Sequence, residues 1–143
     1  MEPSTRLADC FRKGLLKKET PQKDLAVKDL RQAGFFLSEA EDLLPDKKVM
    51  GAIALYNAFF HCSRAVLWKE GIRERSHYCI ARFLETVPKL KEIFLDAFET
   101  IMSIRHTAQY ATEQITIGED LEELAHICEA YIKEVKQLIQ NKP

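Results

Sequence analysis

The sequence predicts an all-α fold, an up-and-down bundle of about five helices with an N-terminal helical arm. Three observations carry that expectation. The stretch Gly51 to Gly71 (GAIALYNAFFHCSRAVLWKEG) is apolar almost all round, as a helix in the middle of a bundle is. The stretches that follow the arm carry apolar residues at alternating spacings of three and four. Five glycines and five prolines in 143 residues leave few tight turns, which suits helices joined by short loops.

Taken in order, residues 1–20 read as an arm and residues 21–143 as the bundle. Leu7, Cys10, Phe11 and Leu15 share one side of a marginal helix that must dock to persist. Thr20 and Pro21 suit the start of the second helix, one as a cap and the other in the first turn. Ala26, Leu30, Ala33, Leu37, Ala40 and Leu44 make its stripe, Pro45 stops it, and Asp46 can cap the central helix. Gly71 ends the central helix, because glycine takes a left-handed conformation without a Cβ clash. The basic link Ile72 to Arg75 leads to Ser76, a cap for a short helix from His77 to Val87 that Pro88 breaks. The next helix runs from Lys89 to about Ala111, with Leu90, Phe94, Ala97, Ile101, Ile104 and Ala108 as its seam. Thr112 to Ile117 is β-branched and weakly patterned, so it reads as a loop. Asp120 and its neighbour Glu119 place acids at the positive end of the last helix. There Leu121, Leu124, Cys128, Tyr131, Val135 and Leu138 give a near-heptad face to about Gln140.

Global composition excludes several classes. With 46% hydrophobic and 30% charged residues the chain is not disordered. A net charge of −1 gives no overall basic surface, so any nucleic-acid contact must be a local patch. Asn57, His61 and Arg64 interrupt the most apolar stretch, which argues against a membrane span or a membrane partner. The start MEPSTRLADCF lacks the apolar run of a signal peptide, so a cytoplasmic location is expected. Cys10, Cys62, Cys79 and Cys128 contain no C-x-x-C and, in a reducing cytosol, read as small apolar residues. His77 and Cys79, like His126 and Cys128, stand two apart and point to opposite sides of a helix, so neither metal nor cofactor is expected. The sequence holds no glycine-rich phosphate loop, G-x-S-x-G elbow or H-E-x-x-H.

Two polar concentrations remain. Asn57, His61 and Arg64, at i, i+4 and i+7, form one stripe on the central helix. It reads either as the helix's solvent edge or as a polar line in a groove or between subunits, since His and Arg are costly to bury unpaired. The second is Arg105 to Tyr110 (RHTAQY). Arg105 follows Phe98 and Met102 by seven and three positions, on the shoulder of the buried seam, while His106 and Tyr110 share another face. The plain alternative is that Arg105 bridges to acids on a neighbouring helix and Tyr110 packs with its hydroxyl satisfied.

The run YNAFFHCSRAVL (Tyr56 to Leu67), then Gly71, Ser76-His77 and Phe83, then Arg105 with Ala108 and Tyr110, resembles the HEPN domain superfamily. It is nearest the prokaryotic branch patterned Y-x-A-x-F-H-A-A-R and R-x-x-A-D-Y. The likeness covers about Lys23 to Gln140. It implies an α-helical bundle, commonly a homodimer, and a protein that binds RNA or a nucleotide. Many relatives are metal-independent endoribonucleases, often toxins paired with a minimal nucleotidyltransferase antitoxin; others are non-catalytic binding partners. Active members carry an Arg followed four to six residues later by His. Here the Arg is Arg105, Tyr110 follows a four-residue gap, Gln109 replaces an Asp, and His106 comes too early.

Metal-free RNA cleavage needs a base for the ribose 2′-hydroxyl proton and a cation for the added phosphate charge. Arg105 suits the cation. A neutral imidazole is the usual base near pH 7, and Tyr titrates too high. The resemblance and this chemistry make Arg105, His61 and Tyr110 the candidate catalytic residues, with His61 as a substitute imidazole and Tyr110 as a positioning or stacking group. Asn57, Arg64, His106 and His77 are candidates for RNA or nucleotide contact. On a continuous helix Arg105 and Tyr110 point about 140° apart. Sharing one pocket therefore needs the helix to end or bend before Tyr110, or a second subunit to complete the site. A non-catalytic module whose polar residues serve a dimer or partner interface is the other reading.

Overall fold

The computed structural model describes residues 3–141. Its elements are α1 (Pro3–Arg12), β1 (Leu16–Lys18), α2 (Lys23–Leu43), α3 (Lys48–Glu70), β2 (Ile72–Glu74), α4 (His77–Leu84), α5 (Glu92–Tyr110) and α6 (Leu121–Gln140). The fold is all-α: α2 to α6 form the bundle and α1 belongs to the arm. α3 packs against α2, α4, α5 and α6, which explains why its sequence is apolar almost all round. Leu55, Ala58, Phe59, Cys62, Ala65 and Leu67 of α3 are wholly buried although they point in different directions.

The α2–α3 pair is the tightest packing in the bundle, and small residues make it so. Ala26, Ala33 and Ala40 line α2 with no exposed surface. A Cβ on Gly51 would collide with Leu44, so the end of α2 closes on the start of α3 only over a glycine. On the other side of α3, Phe59 stacks near Phe98 (6.4 Å) and Tyr131 (6.0 Å). The buried Tyr131 hydroxyl is satisfied by Ser63 at 2.8 Å.

Ser76 and Asp120 cap as their sequence positions suggest, accepting from Cys79 N (3.3 Å) and Glu123 N (3.0 Å). Other expectations need correction. α2 starts at Lys23 and α3 at Lys48, both without a side-chain cap, so Thr20 and Asp46 do not cap. In α2 the buried seam position is Asp29, and Leu30 is only half-buried. In α6 Ile139, not Leu138, completes the buried face. The α6 shift arises because an ideal helix does not keep a strict seven-residue register; in α2, Asp29 is drawn inward by its hydrogen bonds to α3.

The arm is more than a helix. Leu16, Lys17 and Lys18 pair antiparallel with Glu74, Arg73 and Ile72, so the link read as basic loop is a strand. A ladder three residues long carries too little alternation to be seen in sequence. Gly71 makes it possible: with φ 73° it caps α3 in the left-handed region, and a side chain there would strike the Glu19 carbonyl. Cys10 and Cys79, read as separate small apolar residues, form a disulfide that ties α1 to α4. Docking of α1 on α4 brings their Cα atoms to 5.9 Å, a proximity that a separation of 69 residues conceals. Cys62 and Cys128 are free and buried. Among the described residues, no helix is long and apolar enough to cross a membrane.

Candidate functional site

The polar stripe of α3 turns inward onto one acid of α2. Asp29 accepts from His61 Nδ1 (2.7 Å), from Arg64 Nε (2.8 Å) and Nη2 (2.9 Å), and from Trp68 Nε1 (2.7 Å). Burial alone would raise the Asp29 pKa; the bonds from His61, Arg64 and Trp68 outweigh it and hold the carboxyl below its ordinary value. The sequence signal for this network was an acid standing between Ala26 and Ala33 in an otherwise apolar seam. Arg64 also faces Glu74 of β2 at 3.7 Å and lies over the Phe60 ring at 5.0 Å. Asn57 turns back on its own helix, donating to the Ile53 carbonyl (3.2 Å).

A second cluster lies one turn further toward the N-terminus of α3, where Tyr56 and Phe60 meet α4 and α5. Arg105, from α5, seats its guanidinium over the Tyr56 ring at 4.4 Å and donates to Gln109 Oε1 at 2.7 Å. The Tyr56 hydroxyl is hydrogen-bonded to Nδ1 of His77, the first residue of α4. Phe60 lies against the same imidazole at 4.6 Å. Burial pushes the Tyr56 phenol up to about 12 despite the nearby Arg105 cation, so it stays a hydroxyl. Burial, then the Arg105 and Arg64 cations, push the His77 pKa below its ordinary value, so the imidazole is neutral near pH 7.

The candidates from sequence therefore separate into groups. Arg105 and His77 are brought together, with Tyr56 joining them; its spacing made it part of the apolar core, and only the resemblance pattern, which opens on Tyr56, marked it. His61 sits elsewhere, bonded to Asp29 and stacked on Phe36 at 5.4 Å, with Phe60 between it and His77. α5 neither ends nor bends before Tyr110, so Tyr110 points away from Arg105 as a continuous helix requires. Its ring is 66% exposed and lies against exposed His106 at 4.8 Å. Within one chain Tyr110 does not join Arg105's side of the helix, whereas His106 lines the α4–α5 groove beside Arg105.

Chemically, the Arg105–Tyr56–His77 cluster offers a forked cation, an aromatic face and a neutral imidazole. That set can hold a phosphate and accept a proton beside it. The comparison with protein families finds a match to the HEPN domain over residues 26–140. No curated protein and no solved structure matches the chain.

Proposed function

The chain belongs to the HEPN domain family, and from that membership we propose that it binds RNA at the Arg105–Tyr56–His77 cluster and cleaves it without a metal. The observation that supports this reading is a guanidinium seated on Tyr56 beside a neutral imidazole. In it Arg105 holds the phosphate and offsets the charge that grows on its oxygens. In the tautomer this reading requires, His77 donates its Nδ1–H to the Tyr56 hydroxyl, which leaves the Nε2 lone pair to take the 2′-hydroxyl proton. The 2′-oxygen then bonds to phosphorus, the 5′-oxygen leaves with a proton from solvent, and a 2′,3′-cyclic phosphate and a 5′-hydroxyl remain. His61 serves the Asp29 network in this reading.

Tyr110 enters through a second copy, while His106 adjoins Arg105 within one chain and Arg64 serves the Asp29 network with His61. The protein is proposed to be a homodimer with both Arg105 residues lining one cleft, working as a toxin-like or defence-like partner of a minimal nucleotidyltransferase. The second reading, a non-catalytic dimeric binding module, is favoured by one observation: Tyr110, not His, follows Arg105 across the four-residue gap.

Incubation of purified protein with mixed RNA in EDTA separates the two. Cleavage is expected to yield 2′,3′-cyclic phosphate ends and to fall on the order of 10²–10⁴-fold in His77→Ala. Binding without such ends favours the second reading. Loss of cleavage on chelation contradicts the first.

A further inference from the structure

A groove of about 500 Å³ opens between α4 and α5, with Arg105 and His106 on its lining beside Tyr78, Arg82 and Glu99. Its size suits a small ligand, and its chemistry is that of a base pocket. Tyr78 is a large aromatic left 51% exposed, and the Arg82 guanidinium lies over its ring at 5.0 Å. Arg82 is buried, donates to Glu99 and forms an ion pair with Glu85 at 2.8 Å. The Glu99 side chain remains 48% exposed, with lone pairs to spare.

A further observation points to a missing ligand. Among the described residues, the buried side-chain polar atoms without a partner are Arg82 Nε and Arg105 Nε. Both guanidiniums line this one groove. A donor without an acceptor carries a cost until something supplies the acceptor.

We propose that the α4–α5 groove takes a guanine from single-stranded RNA, stacked on Tyr78 and read by the Arg82–Glu99 pair, while the adjoining phosphate lies at Arg105. The assignment rests on Arg105 as the phosphate contact. Guanine is singled out by its edge: the N1–H and N2–H donors match a carboxylate's two oxygens, and O6 accepts from a neighbouring guanidinium. Adenine and cytosine each offer one donor beside an acceptor that faces carboxylate oxygen, and uracil offers one donor between two acceptors. Single-stranded RNA is the form whose bases can turn out to stack on an aromatic ring.

The test is the affinity of the full chain for short oligouridylates carrying one internal guanosine, adenosine or cytidine. The guanosine oligomer is expected to bind at least about tenfold more tightly than the others. In Glu99→Gln, which keeps an acceptor for Arg82, that preference disappears. Tyr78→Ala weakens the guanosine complex roughly five- to hundredfold, and Tyr78→Phe restores it. Equal affinity for all oligomers, with Arg105→Ala still weakening them, overturns the pocket and leaves the RNA reading standing. A guanosine preference that survives in Glu99→Gln overturns it too. No binding of any oligomer overturns both.

Discussion

At the scale of single residues, Asp29 and His77 carry the account. Asp29 gathers three α3 side chains, so Asp29→Ala leaves their donors without an acceptor. His61 and Arg64 retain some contact with water, which limits the damage to about 2–3 kcal/mol, below the full cost of breaking a buried pair. Urea unfolding measures it. His77 is held below its ordinary value of 6.5 by burial first and then by Arg105 and Arg64. Between that lowered pKa and 6.5 the unfolded chain binds a proton that the folded chain does not. Stability is therefore fully present above that range and falls as pH drops through it. His77→Gln should flatten this part of the stability–pH curve. Cleavage, if carried by neutral His77, should persist to a lower pH than an unperturbed histidine allows. Arg105 was legible in the sequence as a polar residue on a seam shoulder. His77 was legible as a candidate contact, but its pairing was not: only folding sets it against Tyr56, 21 positions away.

At the scale of elements, the helices were readable because each buries a stripe repeated over several turns. α3 was the clearest, since four neighbouring helices demand apolar residues in every direction. The β1–β2 ladder and the Cys10–Cys79 bond were not readable, because each rests on contacts between distant segments and leaves no periodic trace. Together they clamp the arm onto the segment that carries Glu74, Ser76 and His77. Reduction, or Cys10→Ser, should lower stability by on the order of 2–4 kcal/mol, from the loop that the bond closes. Thermal melts with and without reductant check this, with Cys62→Ser as a control that leaves the bond in place. Because α1 braces α4, the same change should loosen His77 before the bundle melts. Hydrogen exchange of the α4 amides reads that directly.

At the scale of the whole molecule, one chain presents Arg105, Tyr56 and His77 together, with His106 beside Arg105 on the α4–α5 groove, and turns Tyr110 outward. A second copy is what would bring Tyr110 into the same cleft, and an isologous interface repeats every contact. Sedimentation at micromolar concentration is expected to give twice the 16.5 kDa chain mass. The sequence made the bundle and the family likeness visible, but which side of α5 faces the cluster depends on how α3, α4 and α5 meet. The most direct test of the central claim is photocrosslinking of 4-thiouridine RNA to the full chain, with the crosslinked peptides mapped. The account predicts adducts on the peptides that carry His77 and Arg105, lost in Arg105→Ala while the melting profile is kept. Adducts confined to other surfaces, unchanged by Arg105→Ala, would contradict it.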